Sequence, residues 1–239
     1  MKNSKYFLFG LIILFSAINQ GCKEEEPVAP QAETGTLTDI DGNTYKTIKI
    51  GDQWWMAENL KVKTYRNGAV VKYSLSQSDW IDSSASYCMY DNNSGAPGLL
   101  YNWFAVNREL APAGWHIPTD AEWKKLEEYL GMSGSDVSGN GWRGDQGTKL
   151  KKEGTNGCSA SNAQWPTNES GFTALAGSCR LFDGRWGDPG LFATGFWWTA
   201  TQSAHGDQAY YRYLDCKQSG VFRSYCDKKY GFSVRCIKD

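Results

Sequence analysis

Seven cysteines are the first side chains here whose type and spacing could carry chemistry. Cys22 stands near the start, and Cys88, Cys158, Cys179, Cys216, Cys226 and Cys236 follow one another at intervals of 70, 21, 37, 10 and 10 residues. No C-x-x-C occurs, so neither a zinc site nor a thioredoxin-like redox centre has support. There are two histidines. His116, between Trp115 and Ile117, is expected to be a hydrogen-bonded structural ring, and His205, in Ser203-Ala204-His205-Gly206, an exposed loop residue. No G-x-S-x-G elbow occurs, and Ser133 in Gly131-Met132-Ser133-Gly134 lacks the strand-to-helix turn of a nucleophile. Gly139-Asn140-Gly141-Trp142-Arg143-Gly144 satisfies G-x-G-x-x-G, but no apolar strand precedes it and no helical period follows, so a phosphate cradle is not expected. Asp39-Ile40-Asp41-Gly42-Asn43 starts like a calcium loop without its late bidentate Glu and reads as a β-turn. No catalytic residue, metal or cofactor is assigned.

What remains is an aromatic and charged cluster near the C-terminus. A three-residue loop, Gln218-Ser219-Gly220, would set Asp215 opposite Arg223 and Tyr213 opposite Tyr225. In that register Leu214, Cys216, Phe222 and Cys226 share the core face, while Tyr213, Asp215, Arg223 and Tyr225 point outward as a recognition surface. Arg185 and Trp186 precede Trp197 and would border it. The competing reading is that these rings are core.

The elements that must position this cluster are short. Leu37–Ile40, Thr44–Ile50 and Gln53–Met56 read as strands joined at Asp41-Gly42 and Gly51-Asp52. Residues 62–100, rich in Ser, Asn, Asp and Gly, read as an irregular excursion, and 131–170 are similar with scattered Trp. One helix is expected near 119–130: Thr119 caps it, Glu122 completes a capping box, Trp123, Leu126 and Leu130 share a face, and Gly131 ends it. Strands follow at Phe196–Thr201, Ala209–Asp215, Val221–Tyr225 and Gly231–Ile237. This is an α+β chain of short antiparallel strands, one clear helix and long loops.

Composition agrees. Trp 11, Tyr 13, Phe 10 and Gly 26 among 239 residues, with 41% hydrophobic, describe a core of flat rings rather than of Leu, Ile and Val. The formal charge of -1 offers no field for nucleic acid. At the N-terminus Lys2 and Lys5 precede an apolar run of thirteen residues, Tyr6–Ile18, too short to span a bilayer and placed as an export signal. Export favours disulfides, and of the seven cysteines the six that follow Cys22 allow fifteen pairings; two or three bridges are expected, with buried free thiols as the alternative.

The ending Asn19-Gln20-Gly21-Cys22 resembles a bacterial lipoprotein signal, in which the cysteine thiol is acylated before cleavage. It implies residues 1–21 as signal peptide, a lipid on Cys22 and outer-membrane anchorage. Residues 22–35, with Lys23-Glu24-Glu25-Glu26-Pro27, cannot pack and form a tether of about 20 Å root-mean-square span. The acidic triplet resembles a surface-export signal, which implies a domain facing the cell exterior.

Residues 36–239 resemble the Fibrobacter succinogenes major paralogous domain. The stretches that match are Asp41–Tyr45, Gln53–Leu60, Tyr101–Trp103, Ala111–Trp123, Asn168–Phe172, Trp197–Thr199 and Gly231–Cys236, nearly the full length after the tether. The resemblance implies a C-type lectin-like fold, whose first and last strands pair and whose loop-rich half binds ligand. Trp115–Trp123 is also similar to formylglycine-generating proteins of that broad fold. Cys179 in Gly177-Ser178-Cys179-Arg180 departs from the family's usual small residue or tyrosine and points to a bridge specific to this chain. The Glu-Pro-Asn and Trp-Asn-Asp motifs of calcium-dependent lectins are missing. The expected function is a non-catalytic surface module binding a glycan or protein, with ligand-binding residues Arg185, Trp186, Trp197, Tyr213, Asp215, Arg223 and Tyr225. The alternatives are an oxidase like the formylglycine-generating enzymes, which would recruit Cys216, Cys226 or Cys236, and a structural adhesin subunit.

Overall fold

Asp39 shows how this sequence builds its turns. Its carboxylate accepts the backbone N–H of Asp41 and of Asn43 and the hydroxyl of Tyr45 at 2.6 Å, while Gly42 takes the left-handed φ of 83° that the turn needs. The hairpin so formed opens a computed structural model that describes residues 32–90, 97–106, 109–154, 166–187 and 194–239. Residues Ala32–Asp239 group as one compact unit. The signal, Cys22 and most of the tether lie outside the described residues, as does Cys158.

In chain order the strands are β1 Thr34–Thr38, β2 Thr44–Ile50, β3 Gln53–Met56, β4 Lys72–Tyr73, β5 Ser86–Cys88, β6 Leu100–Asn102 and β7 Trp115–His116. They continue with β8 Gly141–Arg143, β9 Thr194–Gln202, β10 Gln208–Asp215, β11 Val221–Asp227, β12 Gly231–Phe232 and β13 Ile237–Lys238. The helical segments are α1 Gln77–Trp80, α2 Trp103–Val106, α3 Asp120–Tyr129, α4 Gly134–Val137 and α5 Gly147–Leu150. Among the described residues only α3 exceeds a single turn, so the chain is mostly antiparallel sheet with few helices. None of these helices is long and apolar enough to cross a membrane.

Three sheets result, in the orders β1-β2-β3-β13-β7, β8-β11-β10-β9 and β12-β6-β5-β4. The first joins the chain's beginning to its end, since Ile237 pairs with Trp55 on one side and His116 on the other. The third corrects the expectation for residues 62–100. That stretch is not merely irregular: β4 and β5 pair in parallel and β5 with β6 antiparallel, in strands too short to leave a period-2 pattern. The strand expected over Gly231–Ile237 also divides, β12 joining one sheet and β13 another. β1 starts at Thr34, inside the expected tether, and Lys49 holds it by an ion pair to Glu33 at 2.6 Å.

α3 forms as its sequence dictates. Thr119 accepts the N–H of Glu122, and the Glu122 carboxylate accepts the N–H of Thr119. Trp123 and Leu126, both fully buried, press its inner face into a core of Trp55, Phe172, Trp197 and Leu214. Rings do the packing: Trp123 lies 5.0 Å from Trp55 and 5.5 Å from Phe172, centroid to centroid.

Candidate functional site

The β10–β11 hairpin is where the sequence reading and the structure part. The strands pair Tyr213 with Phe222, Arg212 with Arg223 and Tyr210 with Tyr225, a register three residues away from that of a three-residue loop. An odd shift reverses one strand's faces relative to its partner, so Tyr213 keeps its side but now shares it with Phe222, while Arg223 and Tyr225 turn to the side of Arg212. The cause lies in the connection after Asp215. Lys151, buried, donates to the carbonyls of Asp215 at 3.0 Å and Gln218 at 2.7 Å, and the N–H of Thr148 reaches Ser219 O. Gly147 lies so close to this turn that a Cβ there would sit 2.1 Å from Gly220 O. The loop is shaped by contacts distant in sequence, which no hairpin rule contains. Burial draws the Lys151 ammonium down to about 8.

Arg223 is therefore not an outward recognition residue. It is buried and clasps Asp120 bidentately, Nε to Oδ1 and Nη2 to Oδ2, both at 2.8 Å. Arg212 beside it donates to Asp120 at 2.8 Å and Glu127 at 2.5 Å. Arg143 on β8 closes on Glu127 through both terminal nitrogens, at 2.8 and 2.9 Å. Burial opposes ionisation of Asp120, but the two guanidiniums outweigh it and hold the carboxyl well below the usual range. The network ties the four-stranded sheet to α3 and fixes which face is inside. Trp197 is corrected too: it is buried, its Nε1 donating to Asn59 Oδ1 at 3.0 Å. Tyr225 falls on this inner-facing side, beside Tyr210 at 5.5 Å and His205 at 5.6 Å.

The other face carries a row of rings. Trp142 on β8 lies 5.3 Å from Phe222 on β11 and 5.1 Å from Tyr213 on β10, which stacks on Phe196 of β9 at 4.5 Å and 12°. Each is partly open, and Trp142 is 38% exposed. Burial, and then the hydrogen bond from its hydroxyl to Asp215 Oδ2 at 2.7 Å, push the Tyr213 phenol up. Of the expected binding residues, Tyr213 and Asp215 belong to this row; Phe222, expected in the core, and Trp142, unassigned, complete it. The period-2 alternation of β11 was the signal for Phe222, misread by the register. Arg185 is exposed and paired with Asp183 at 2.7 Å. Trp186 packs on Arg180 at 4.7 Å and Tyr90 at 5.3 Å, with no ring contact to the row among the described residues.

The cysteines also differ from expectation. Cys88, Cys179, Cys226 and Cys236 are free thiols, so the two or three bridges do not form among them. They sit in apolar surroundings and pack as small hydrophobes: Cys236 beside Met56, whose sulfur is 3.3 Å from its N–H, and Cys88 with Trp80 and Leu100. Cys216 is not free. Burial pushes the thiols of Cys88 and Cys179 up to about 12 and that of Cys236 higher still, away from the thiolate that metal binding or redox catalysis uses.

His116 is hydrogen-bonded, as expected: Nε2 meets Glu122 Oε1 at 2.8 Å and Nδ1 meets Asp239 Oδ1 at 2.7 Å.

Comparison with known proteins adds one match. The model of the Fibrobacter succinogenes major domain fits residues 48–238. No curated protein and no solved structure matches.

Proposed function

The chain belongs to the Fibrobacter succinogenes major domain family, and on that premise we propose that it is a non-catalytic binding module that recognises a glycan through the aromatic row of its four-stranded sheet. The observation that carries this is the unbroken contact of Trp142, Phe222, Tyr213 and Phe196 across four adjacent strands with their surface partly open. A contiguous row of partly open rings of this kind marks a surface that meets a ligand or partner. A sugar ring presents C–H groups on its faces and hydroxyls around its edge; flat rings suit the first, and the Tyr213–Asp215 pair at the row's edge suits the second.

The first and last strands lie in one sheet and the rest of the chain is loop-rich, which supports a C-type lectin-like fold. Anchorage through a lipid on Cys22 at the outer membrane, facing outward, fits the same role. The burial of Cys88, Cys179 and Cys236 supports a binding role over an oxidase.

The test is a glycan array followed by titration of the best ligand. Trp142→Ala should leave the fold intact, since Trp142 lies at the sheet edge, and weaken binding by about 1 kcal/mol or more; Phe222→Ser should do likewise. Array binding unchanged in both variants would remove the row from the site.

A further inference from the structure

A second opening lies between the Thr64–Val70 hairpin, the approach to β5, and α2. It encloses about 810 Å³, within the range of roughly 300–1,000 Å³ typical of small-molecule sites. Tyr65, Val70, Trp103 and Phe104 supply apolar wall, and Lys228 and Glu109 are charges on its lining. The Trp103 ring is fixed by its Nε1, which donates to Thr199 O at 2.9 Å.

Lys228 is the unusual group. It is 9% exposed, and its ammonium lies 4.4 Å from the centre of the Trp103 ring. It donates to Gln202 Oε1 at 2.7 Å and Gly206 O at 2.5 Å. Both acceptors are neutral, and no carboxylate pairs with it among the described residues. A buried cation is ordinarily paired with an anion, and an ammonium has three protons to donate. Lys72, on the same lining, is already neutralised by Asp82 at 2.6 Å and bonded to Ser84. Ser83 at the rim takes a left-handed φ of 60°, a conformation non-glycine residues hold at some cost and often near sites.

We propose that this cleft binds a small organic carboxylate, its acid group on Lys228 and its body against Trp103, Phe104 and Tyr65. One unneutralised cation suits a singly charged acid. A phosphate would ask for several converging donors or an arginine fork, and Glu109 on the same lining repels a second negative charge. Such an acid could be a sugar acid or an acylated amino acid; the chemistry at Lys228 is shared.

Isothermal titration of the full protein with D-glucuronate and N-acetylphenylalanine, each beside its neutral amide, tests the idea and separates the two sources. At least one acid should bind about tenfold or more tightly than its amide, as a charge-assisted hydrogen bond implies. Lys228→Gln should abolish that difference and Lys228→Arg keep it. Glu109 is exposed, so Glu109→Gln should fold normally; it should strengthen acid binding while leaving the amides unchanged. Trp142→Ala should alter neither. Equal binding of acid and amide, no binding of either acid, weaker acid binding in Glu109→Gln, or loss of binding in Trp142→Ala would each overturn the proposal.

Discussion

Replacing Arg223 with Met keeps the apolar stem and removes the guanidinium that clasps Asp120. The guanidinium's attachments go: the bidentate pair to Asp120, the Nη1 bonds to Asn140 Oδ1 at 2.6 Å and to the carbonyls of Ser138 and Gly139 at 3.2 Å, and the stacking on Tyr210 at 4.3 Å. Breaking a buried ion pair from one side costs about 3–5 kcal/mol, because the remaining charge stays desolvated. Asp120 keeps Arg212 at 2.8 Å and Lys124 at 3.2 Å, which places the loss near the low end, about 3 kcal/mol. In a domain of this size that is a drop of roughly 6–12 °C in Tm. Phe222→Ala on the half-open face should cost less, about 1–2 kcal/mol, since cavity and transfer losses scale with burial. Urea unfolding at neutral pH measures both. Acid narrows the gap to the parent: the depressed Asp120 group stabilises the fold fully above its unfolded value of about 3.9 and less as pH falls toward the folded one. Arg223→Met should therefore lose less than the parent between about pH 4 and pH 2. Should Arg223→Met cost less than Phe222→Ala, the inner and outer faces of this sheet have been interchanged and the aromatic row is core.

Other expectations follow from single groups. Desolvation lowers His116, but hydrogen bonds to Asp239 and Glu122 more than reverse it, so its folded value lies above the ordinary 6.5. Its stabilisation is complete below about pH 6.5 and is lost as pH rises through the folded value. Thermal melts across that range should show the parent losing stability relative to His116→Asn, and parallel curves would show that the clamp contributes nothing. Titration of the denatured, unreduced protein should find at least four reactive thiols, those of Cys88, Cys179, Cys226 and Cys236; two or fewer would mean bridges that this arrangement lacks. Mass spectrometry of protein made in a Gram-negative host should find residues 1–21 removed and acyl chains on Cys22. A mature chain starting elsewhere, or an unmodified Cys22, would refute the anchor.

What the sequence disclosed follows the range of the interactions concerned. The Thr119–Glu122 cap and the Asp41-Gly42 turn rest on contacts within a few residues, and both were legible. The hairpin register rests on Lys151 and Thr148, some 64 to 71 positions from the loop carbonyls they bind, so local rules chose a register with the wrong parity. That single error sent Arg223 outward and Phe222 inward. Arg212 and Arg223 alternate with Tyr213 and Phe222 along their strands in either register. A reader who takes charge as a sign of solvent will choose the wrong face whenever the charges are paired inside. The clue was available in α3: Asp120 and Glu127, seven residues apart, fall on one helical face together with Trp123 and Leu126, a position for carboxylates that only buried cations can justify.

Buried arginine recurs as the fold's method for holding loops. Arg235, fully buried, donates to Asn59 Oδ1 at 2.9 Å, to Thr173 O at 2.9 Å and to Phe172 O; burial draws it down to about 9. Arg180 lies between Trp80 at 4.8 Å and Trp186 at 4.7 Å and donates to the carbonyls of Ser74, Ser76 and Gly184. Each guanidinium satisfies carbonyls that irregular backbone would otherwise bury unpaired, while its flat face packs on rings. This explains how a chain poor in aliphatic residues and rich in Gly can hold long loops without much regular structure. It also bears on binding. The same holds for the four-stranded sheet: Arg143, Arg212 and Arg223 tie it to α3 from its inner face, so the partly open residues of the opposite face, Trp142 above all, would be free to be chosen for a ligand without loss of the fold.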